Sequence, residues 1–135
     1  MRLKEQRLWD TMKRNAPTTG VWLDRVENIM VDGMPDVHVG ARRWTWVELK
    51  APKRPKRATT PLMGAKEGLR VSQVGWHMKA ASMGLPSWIL IRDDQRQLYL
   101  VSGSYAAEVN DMTASQLMEI SVADNWTAIF GELTK

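Results

Sequence analysis

A chain of 135 residues with 44% hydrophobic and 25% charged residues has the composition of a single globular domain, which argues against a disordered or membrane-embedded protein. It has no cysteine and only two histidines, His38 and His77, so disulfides and thiolate zinc sites are excluded and any metal is expected to have oxygen ligands. The formal net charge of +4 favours an anionic partner, and the N-terminus lacks the apolar stretch of a secretory signal, so we expect a cytoplasmic location.

Residues 3–14 are predicted to form an amphipathic helix, because apolar side chains recur there at helical spacing, at Leu8, Trp9 and Met12. Glu5 lies four residues before Trp9 and belongs to the same stripe. A carboxylate is therefore expected on the side on which this helix packs.

Three strands are predicted next, over residues 21–28, 34–39 and 43–50. The Asp32-Gly33 pair is a turn signal between the first two, and Gly40 is expected to turn the chain between the second and the third. The second and third strands are short and close in sequence, which predicts a β-hairpin.

The third strand carries a chemically notable face. Side chains two positions apart point to the same side of a strand, so Trp44, Trp46, Glu48 and Lys50 share one face. Asp36 lies one hairpin earlier, where its side chain can sit opposite Glu48. Two converging carboxylates repel each other unless a cation joins them, and carboxylate oxygens suit Mg²⁺ or Mn²⁺. Alone, the glutamate and lysine would be an ordinary solvated ion pair.

A long basic segment follows this strand. Residues 51–68 contain three prolines and no periodic pattern, which predicts a long loop. Across residues 42–70, nine basic residues face two acidic ones, a local balance of +7. Nucleic acid is therefore the expected partner. The predicted phosphate contacts are Lys53, Arg54, Lys56, Arg57 and Arg70. A solvated basic loop or an RNA-binding arm remains an alternative.

The remaining elements complete an α/β or α+β pattern with a central mixed sheet. Ser72 is a plausible N-cap for a helix over residues 72–83, and residues 88–92 and 97–101 bracket a second hairpin. Thr113 and Gln116 form a capping-box pattern before a last helix, and the tail beyond Asp124 stays unassigned.

His38 shares the strand face of Asp36, so it either touches the site or, as we expect, packs on the sheet, and His77 is expected to be structural. Packing explains Trp9, Trp44, Trp46 and Trp88, so no base-stacking surface is predicted.

The dipeptide Pro35-Asp36, followed after eleven intervening residues by Glu48-Leu49-Lys50, resembles the signature of the PD-(D/E)XK nucleases. These motifs, with Ser72-Gln73 and Trp76 in a later helix, are similar to the small phage-encoded VRR-NUC type. That branch is similar to Holliday-junction-resolving enzymes. The resemblance covers about residues 4–101.

This resemblance implies a restriction-endonuclease-like α/β fold, with a central mixed sheet flanked by helices. We accordingly expect residues 1–135 to form one nuclease domain, in which residues 1–101 form the nuclease-like core. Residues 102–135 lie outside the resemblance as a C-terminal extension with five acidic residues against Lys135.

The resemblance also implies roles for the motif residues. Asp36 and Glu48 would hold one or two divalent ions together with the backbone carbonyl of Leu49. Lys50 would orient or activate the attacking water.

Two further roles come from the flanking elements. In this family an acidic residue of the N-terminal helix often completes the metal site, and Glu5 fills that role better than its rival, Glu27. Gln73 matches a glutamine that the VRR-NUC type carries at the start of its second helix; otherwise it is a solvent-facing helix residue.

The sequence therefore predicts a Mg²⁺- or Mn²⁺-dependent endonuclease acting on duplex, branched or otherwise structured DNA, with a homodimer as a candidate assembly. One alternative is a non-catalytic DNA-binding protein that retains the nuclease fold. Another is a nuclease subunit of a repair or restriction assembly, with the acidic C-terminal region as its docking surface.

Overall fold

The structure is a computed structural model that describes residues 3–26 and 32–135. Its five strands form one mixed sheet in which the strands lie side by side in chain order. They are β1 (Trp22–Arg25), β2 (Val37–Gly40), β3 (Trp44–Lys50), β4 (Ser87–Arg92) and β5 (Leu98–Ser102). The predicted strand over residues 21–28 is confirmed for its first part, and its end lies outside the described residues, as does Glu27.

Both predicted hairpins are confirmed, because β2 pairs antiparallel with β3 and β4 pairs antiparallel with β5. Between the hairpins, β3 and β4 are parallel, with Glu48 opposite Ile89 and Lys50 opposite Ile91. Parallel neighbours need a long crossover, and here the crossover carries α2 (Gly64–Glu67) and α3 (Val71–Ser82).

Helices cover both faces of the sheet. On one face, α1 (Leu3–Asn15) and α5 (Trp126–Leu133) pack on one apolar cluster, which includes Leu8, Leu49, Leu90, Ile129 and Phe130. On the other face, a second cluster joins Ile89, Ile91, Tyr99, Leu69 and, from α4 (Ala114–Ile120), Leu117. Adjacent residues of β4 alternate between the clusters, as the two-residue period of a strand requires. The sheet is therefore sandwiched between helices.

The sequence-based boundaries were wrong in two places on the crossover. Residues 51–68 do not form a plain loop, because Leu62 and Met63 are buried and α2 follows them. The N-cap of α3 is Arg70 rather than Ser72: the Arg70 backbone is extended, and its N–H donates to the side chain of Gln73 at 2.9 Å. That side-chain acceptor satisfies an N–H that the first helical turn leaves without a partner.

The C-terminal part folds onto the sheet. The predicted capping box is confirmed, since Thr113 and Gln116 each accept the other's backbone N–H at the start of α4. The tail that the sequence left unassigned forms α5, which Asn125 caps by accepting the N–H of Ala128 at 2.9 Å. Among residues 3–26 and 32–135, no helix has the length and apolar character needed to span a bilayer.

A row of aromatic rings crosses the strands on the α3 side of the sheet. His38 stacks between Trp44 and Trp46, with ring centroids 4.1 and 4.0 Å apart. The Trp44 ring lies over Gly40, where a Cβ would approach it to 2.6 Å. The packing role predicted for His38 is thus confirmed. Trp44, however, is 50% exposed, so sheet packing accounts for only part of its surface.

Candidate active site

A cavity of about 460 Å³ lies where the end of β3, the segment before β2 and the first turns of α1 and α3 meet. The structure brings together most of the residues that the motifs singled out. Its lining includes Glu5, Asp36, Glu48, Lys50, Arg70 and Gln73, with Lys66 from the crossover.

The two motif carboxylates meet as the hairpin geometry predicts. Val37 pairs with Val47, so the next position along the hairpin places Asp36 opposite Glu48. The Oδ2 atom of Asp36 accepts the backbone N–H of Leu49 at 3.1 Å, which fixes the aspartate beside β3. Leu49 itself turns its side chain into the core below the site.

Glu48 is 1% exposed, and its environment opposes ionisation. Burial raises the pKa of Glu48 well above 4.5, the adjacent Asp36 raises this pKa further, and the Lys50 ammonium partly offsets both effects. With both carboxylates ionised, the Oε1 atom of Glu48 has no hydrogen-bond donor. A buried oxygen without a donor is costly, so this atom is a natural ligand for a cation.

Gln73 ties the lysine to the glutamate. Its Oε1 atom accepts from Lys50 Nζ at 3.1 Å, while its Nε2 atom donates to Glu48 Oε2 at 3.1 Å. Lys50 Nζ also lies 3.7 Å from Glu48 Oε2. The alternative that Gln73 faces solvent is wrong, since it is 6% exposed. The amide therefore holds two oppositely charged groups in one arrangement.

Glu5 reaches the site from α1. Its Oε1 atom lies 3.9 Å from Lys50 Nζ, and its side chain is 14% exposed. The structure thus places the predicted third carboxylate at the cavity. Glu5 lies in the first turn of α1 and lines this cavity beside Lys50.

The donor set fits a hard cation. Asp36 and Glu48 supply carboxylate oxygens, the ligands that Mg²⁺ and Mn²⁺ prefer, and Glu48 Oε1 has no competing donor. Within the described ranges, no three carboxylate or imidazole side chains already form a cluster that could hold a metal. Asp36 and Glu48 are therefore the candidate side-chain ligands. The Leu49 carbonyl is a candidate through the motif resemblance alone, and Glu5 faces Lys50.

The predicted DNA contacts differ in their surroundings. Arg54 is tied to the β4–β5 hairpin, because its Nε lies 3.5 Å from Asp93 Oδ2 and its Nη1 donates to Gln95 at 3.0 Å. Lys53, Lys56 and Arg57 are exposed. Arg70 lines the cavity and lies 3.7 Å from the exposed carboxylate of Asp32.

Lys66 also lines the cavity but was not among the predicted site residues. Its signal was the excess of basic residues over positions 42–70. Position alone could not separate it from the other cations, because α2 determines which of them turns toward the cavity.

His77 lies behind the site in the core. Its Nδ1 atom is 2.7 Å from Ser87 Oγ, and the residue is fully buried. Burial, and secondarily the charge of Lys50, lowers the pKa of His77 to about 4, so the ring is neutral at physiological pH. A neutral, hydrogen-bonded core imidazole is the structural role that the sequence predicts.

The same fold occurs in Hjc, a Holliday junction resolvase from the archaeal hyperthermophile Archaeoglobus fulgidus, with a TM-score of 0.56 and 16% sequence identity. The match covers 93% of this chain and 97% of that chain. No protein-family model matches the sequence, and neither does any curated protein. The predicted nuclease-type α/β fold, with a mixed sheet between helices, is confirmed by this likeness and by the sheet topology.

Proposed function

We propose that this protein is a divalent-metal-dependent endonuclease that hydrolyses phosphodiester bonds in branched or otherwise structured DNA. The observation that carries the proposal is the convergence of Asp36, Glu48 and Lys50 in one cavity whose rim is cationic. The motif resemblance to the VRR-NUC type and the likeness to a resolvase fold support the same assignment.

Asp36 and Glu48, with the carbonyl of Leu49, are the proposed ligands of Mg²⁺ or Mn²⁺. Such an ion, when bound, stabilises negative charge on the reacting phosphate and lowers the pKa of a coordinated water. Burial of Glu48 favours this role, because a cation would compensate for the carboxylate's loss of hydration.

Lys50 is the proposed group beside the attacking water. Its ammonium lies between Glu48 and Glu5, at 3.7 and 3.9 Å, and donates to Gln73. These contacts hold the ammonium in the cavity proposed for the scissile phosphate, where a positive charge would stabilise the transition state. Gln73 is a positioning residue for Lys50 and Glu48. Glu5 is the proposed second carboxylate that holds the Lys50 ammonium in place.

The cationic side chains on the rim give the proposed DNA contacts. Arg70 and Lys66 line the cavity itself, and Lys53, Lys56 and Arg57 are exposed on the crossover. Contacts of this kind bind the phosphate backbone without identifying bases. They suit an enzyme that selects DNA by shape.

The decisive experiment is a cleavage assay with Mg²⁺ or Mn²⁺ on linear, nicked, splayed and four-way DNA. Asp36→Ala and Lys50→Met are each expected to lower the cleavage rate by at least about 10²-fold, because each removes charge stabilisation from the transition state. DNA binding, measured in parallel without divalent ions, should persist in both variants.

Glu108→Gln is the matched control, since it neutralises an exposed carboxylate of the C-terminal part. It should cut like the parent protein. Unchanged cleavage in Asp36→Ala would refute the proposed site. Binding without cleavage by the parent protein, on all four substrates and with either ion, would leave the non-catalytic DNA-binding alternative.

A further inference from the structure

A second cationic cavity, here named the arginine cavity, lies between α1, the β4–β5 hairpin and α5. Its volume is about 490 Å³. Four arginines from separate parts of the chain line it, together with one carboxylate and one indole: Arg7, Arg14, Arg92, Arg96, Asp10 and Trp126. None of these arginines belongs to the basic segment over residues 42–70.

One hydroxyl group holds two of the guanidinium groups close together. Thr11 Oγ1 accepts from Arg14 Nη2 at 3.2 Å and from Arg92 Nη1 at 3.0 Å. The same hydroxyl donates to the carbonyl of Arg7 at 2.9 Å, so its orientation is fixed by α1. The two like charges therefore converge on a single oxygen atom.

The charge of this cluster is not balanced locally. Of the ion pairs that the described part of the chain forms, none joins any of the four arginines to a carboxylate. Asp10 has other partners, since it lies 3.6 Å from Lys13 Nζ and accepts from Gln6 at 3.1 Å. Burial lowers the pKa of Arg92, and the charges of Arg96 and Arg14 lower it further. An anion in the cavity would relieve this repulsion.

Arg96 adopts an unfavourable backbone conformation. Its φ of 66° is the left-handed conformation, and no other non-glycine residue in the described ranges has a positive φ. An L-residue loses about 1 kcal/mol there. The hairpin turn thus presents an arginine to the cavity at a position where glycine would be more stable.

Two further depressions share lining residues with the arginine cavity and with the candidate active site, and their lining also includes the carboxylates of Glu67, Asp93 and Asp94. Glu5 borders both the active-site cavity and the next depression, which also includes Lys4 and Arg7. Lys4 and Arg7 border the following one, which reaches Arg92 and Arg96. From Glu5 to Arg14 the helix advances roughly 13 Å, about four base-pair steps along a duplex.

We propose that the arginine cavity binds backbone phosphates of the DNA next to the cleavage site. The assignment of DNA as the ligand rests on the proposed function. The presence of a cationic cavity does not depend on that function. Guanidinium groups bind phosphate oxygens in a bidentate manner, and four of them along a groove match a run of phosphates better than a single small anion.

The test uses the intact chain with Arg14→Gln and Arg96→Gly combined. Glycine relieves the positive φ of Arg96, and Gln keeps Arg14's helical position, so the variant should remain folded. Binding to duplex and four-way DNA is measured against salt concentration without divalent ions. Each duplex phosphate contact contributes about 0.9 to the slope of log K against log salt, so the slope should fall by about 1.8.

Lys79→Gln with Lys135→Gln is the charge-matched control. Both side chains are exposed, and neither lies in the arginine cavity or in the basic segment over residues 42–70. The control should keep the parent slope. An equal fall in both double variants would overturn the proposal, because it would show a general effect of net charge.

A second measurement distinguishes DNA from a small polyphosphate as the ligand of the arginine cavity. Inorganic pyrophosphate is titrated while the melting temperature is recorded for both double variants. Loss of pyrophosphate stabilisation in Arg14→Gln/Arg96→Gly with an unchanged DNA slope would overturn the assignment to DNA and leave a site for a small polyphosphate. Since no cleavage is measured, failure of the nuclease proposal would not affect this result.

Discussion

Glu48 concentrates the chemistry of the candidate active site in one buried carboxyl group. Its pKa is raised by burial and then by Asp36, so the folded chain holds a proton on Glu48 that the unfolded chain releases near pH 4.5. From that pH up to the raised value, the free energy of unfolding falls as pH rises, because the native state binds more protons than the unfolded state.

Glu48→Gln should therefore be more stable than the parent protein at pH 7 without metal, and this difference should shrink toward pH 4. Denaturant unfolding at a series of pH values measures it, with Glu108→Gln as the control that should show no such dependence. Mg²⁺ should raise the melting temperature of the parent protein more than that of Glu48→Gln. Equal stability of these two proteins at pH 7 would contradict the raised pKa of Glu48.

At the scale of single residues, the sequence predicts those contacts that local backbone geometry determines. The two-residue period of a strand and one short hairpin are enough to bring Asp36, Glu48 and Lys50 together. The arginine cavity was not predictable, because Arg14 and Arg92 are 78 positions apart in the chain and meet only through packing of α1 on the sheet.

The crossover between β3 and β4 combines an anchored part with exposed cations. Arg54 is anchored to Asp93, whose carboxylate is 3% exposed and also accepts the Tyr99 hydroxyl at 2.9 Å. The backbone N–H of Lys53 donates to Glu67 at 2.8 Å, which ties the same stretch to α2. Arg54 thus stabilises the fold, whatever it contributes to DNA binding.

Replacing Arg54 with alanine should lower the free energy of unfolding by about 1–3 kcal/mol, since the buried Asp93 would lose its cation.

Lys56→Ala with Arg57→Ala should change stability by less than about 0.5 kcal/mol, because both side chains are exposed. Instead, it should reduce the salt slope of DNA binding by about 1.8. Thermal melts and binding titrations distinguish the two outcomes; an unchanged slope in the second variant would remove these residues from the DNA surface.

Among the elements, those with strong local patterns were predictable and those that depend on tertiary contacts were not. The stripe at Leu8, Trp9 and Met12 predicts α1, and each hairpin follows from two short strands around a turn. By contrast, α2 is four residues long and has no buried residue of its own. Its position depends on the flanking buried residues Leu62, Met63 and Leu69.

For the whole molecule, the proposed function predicts one strand cut for each bound copy, because the proposal assigns one active site to a chain of 15.4 kDa. A branched junction needs two cuts, so we expect two copies on each four-way DNA. Light scattering with and without that DNA should show the added mass of two chains. A single bound copy that still cuts both strands would contradict this expectation, and a larger assembly would favour the subunit alternative.

The C-terminal region contributes to the apolar core of the whole molecule. Its acidic character was predicted from the sequence, and its division from a nuclease-like core at residue 101 stays a prediction. Ile129, Phe130 and Leu133 of α5 are buried in the same apolar cluster as Leu8 and Met12 of α1. The pattern alone could not show this, because α5 packs against a helix more than a hundred residues earlier in the chain.

The parallel pairing of β3 with β4 links sheet formation to assembly of the cavity. The chain must travel through residues 51–86 before Ile89 can pair opposite Glu48, and Gln73 lies on that path. A local opening that separates these two strands would also release the glutamine from its glutamate. Amide hydrogens of β3 and the hydrogen-bonded side chains around Lys50 should therefore lose protection in the same cooperative event, with no partly open form that retains the chemistry.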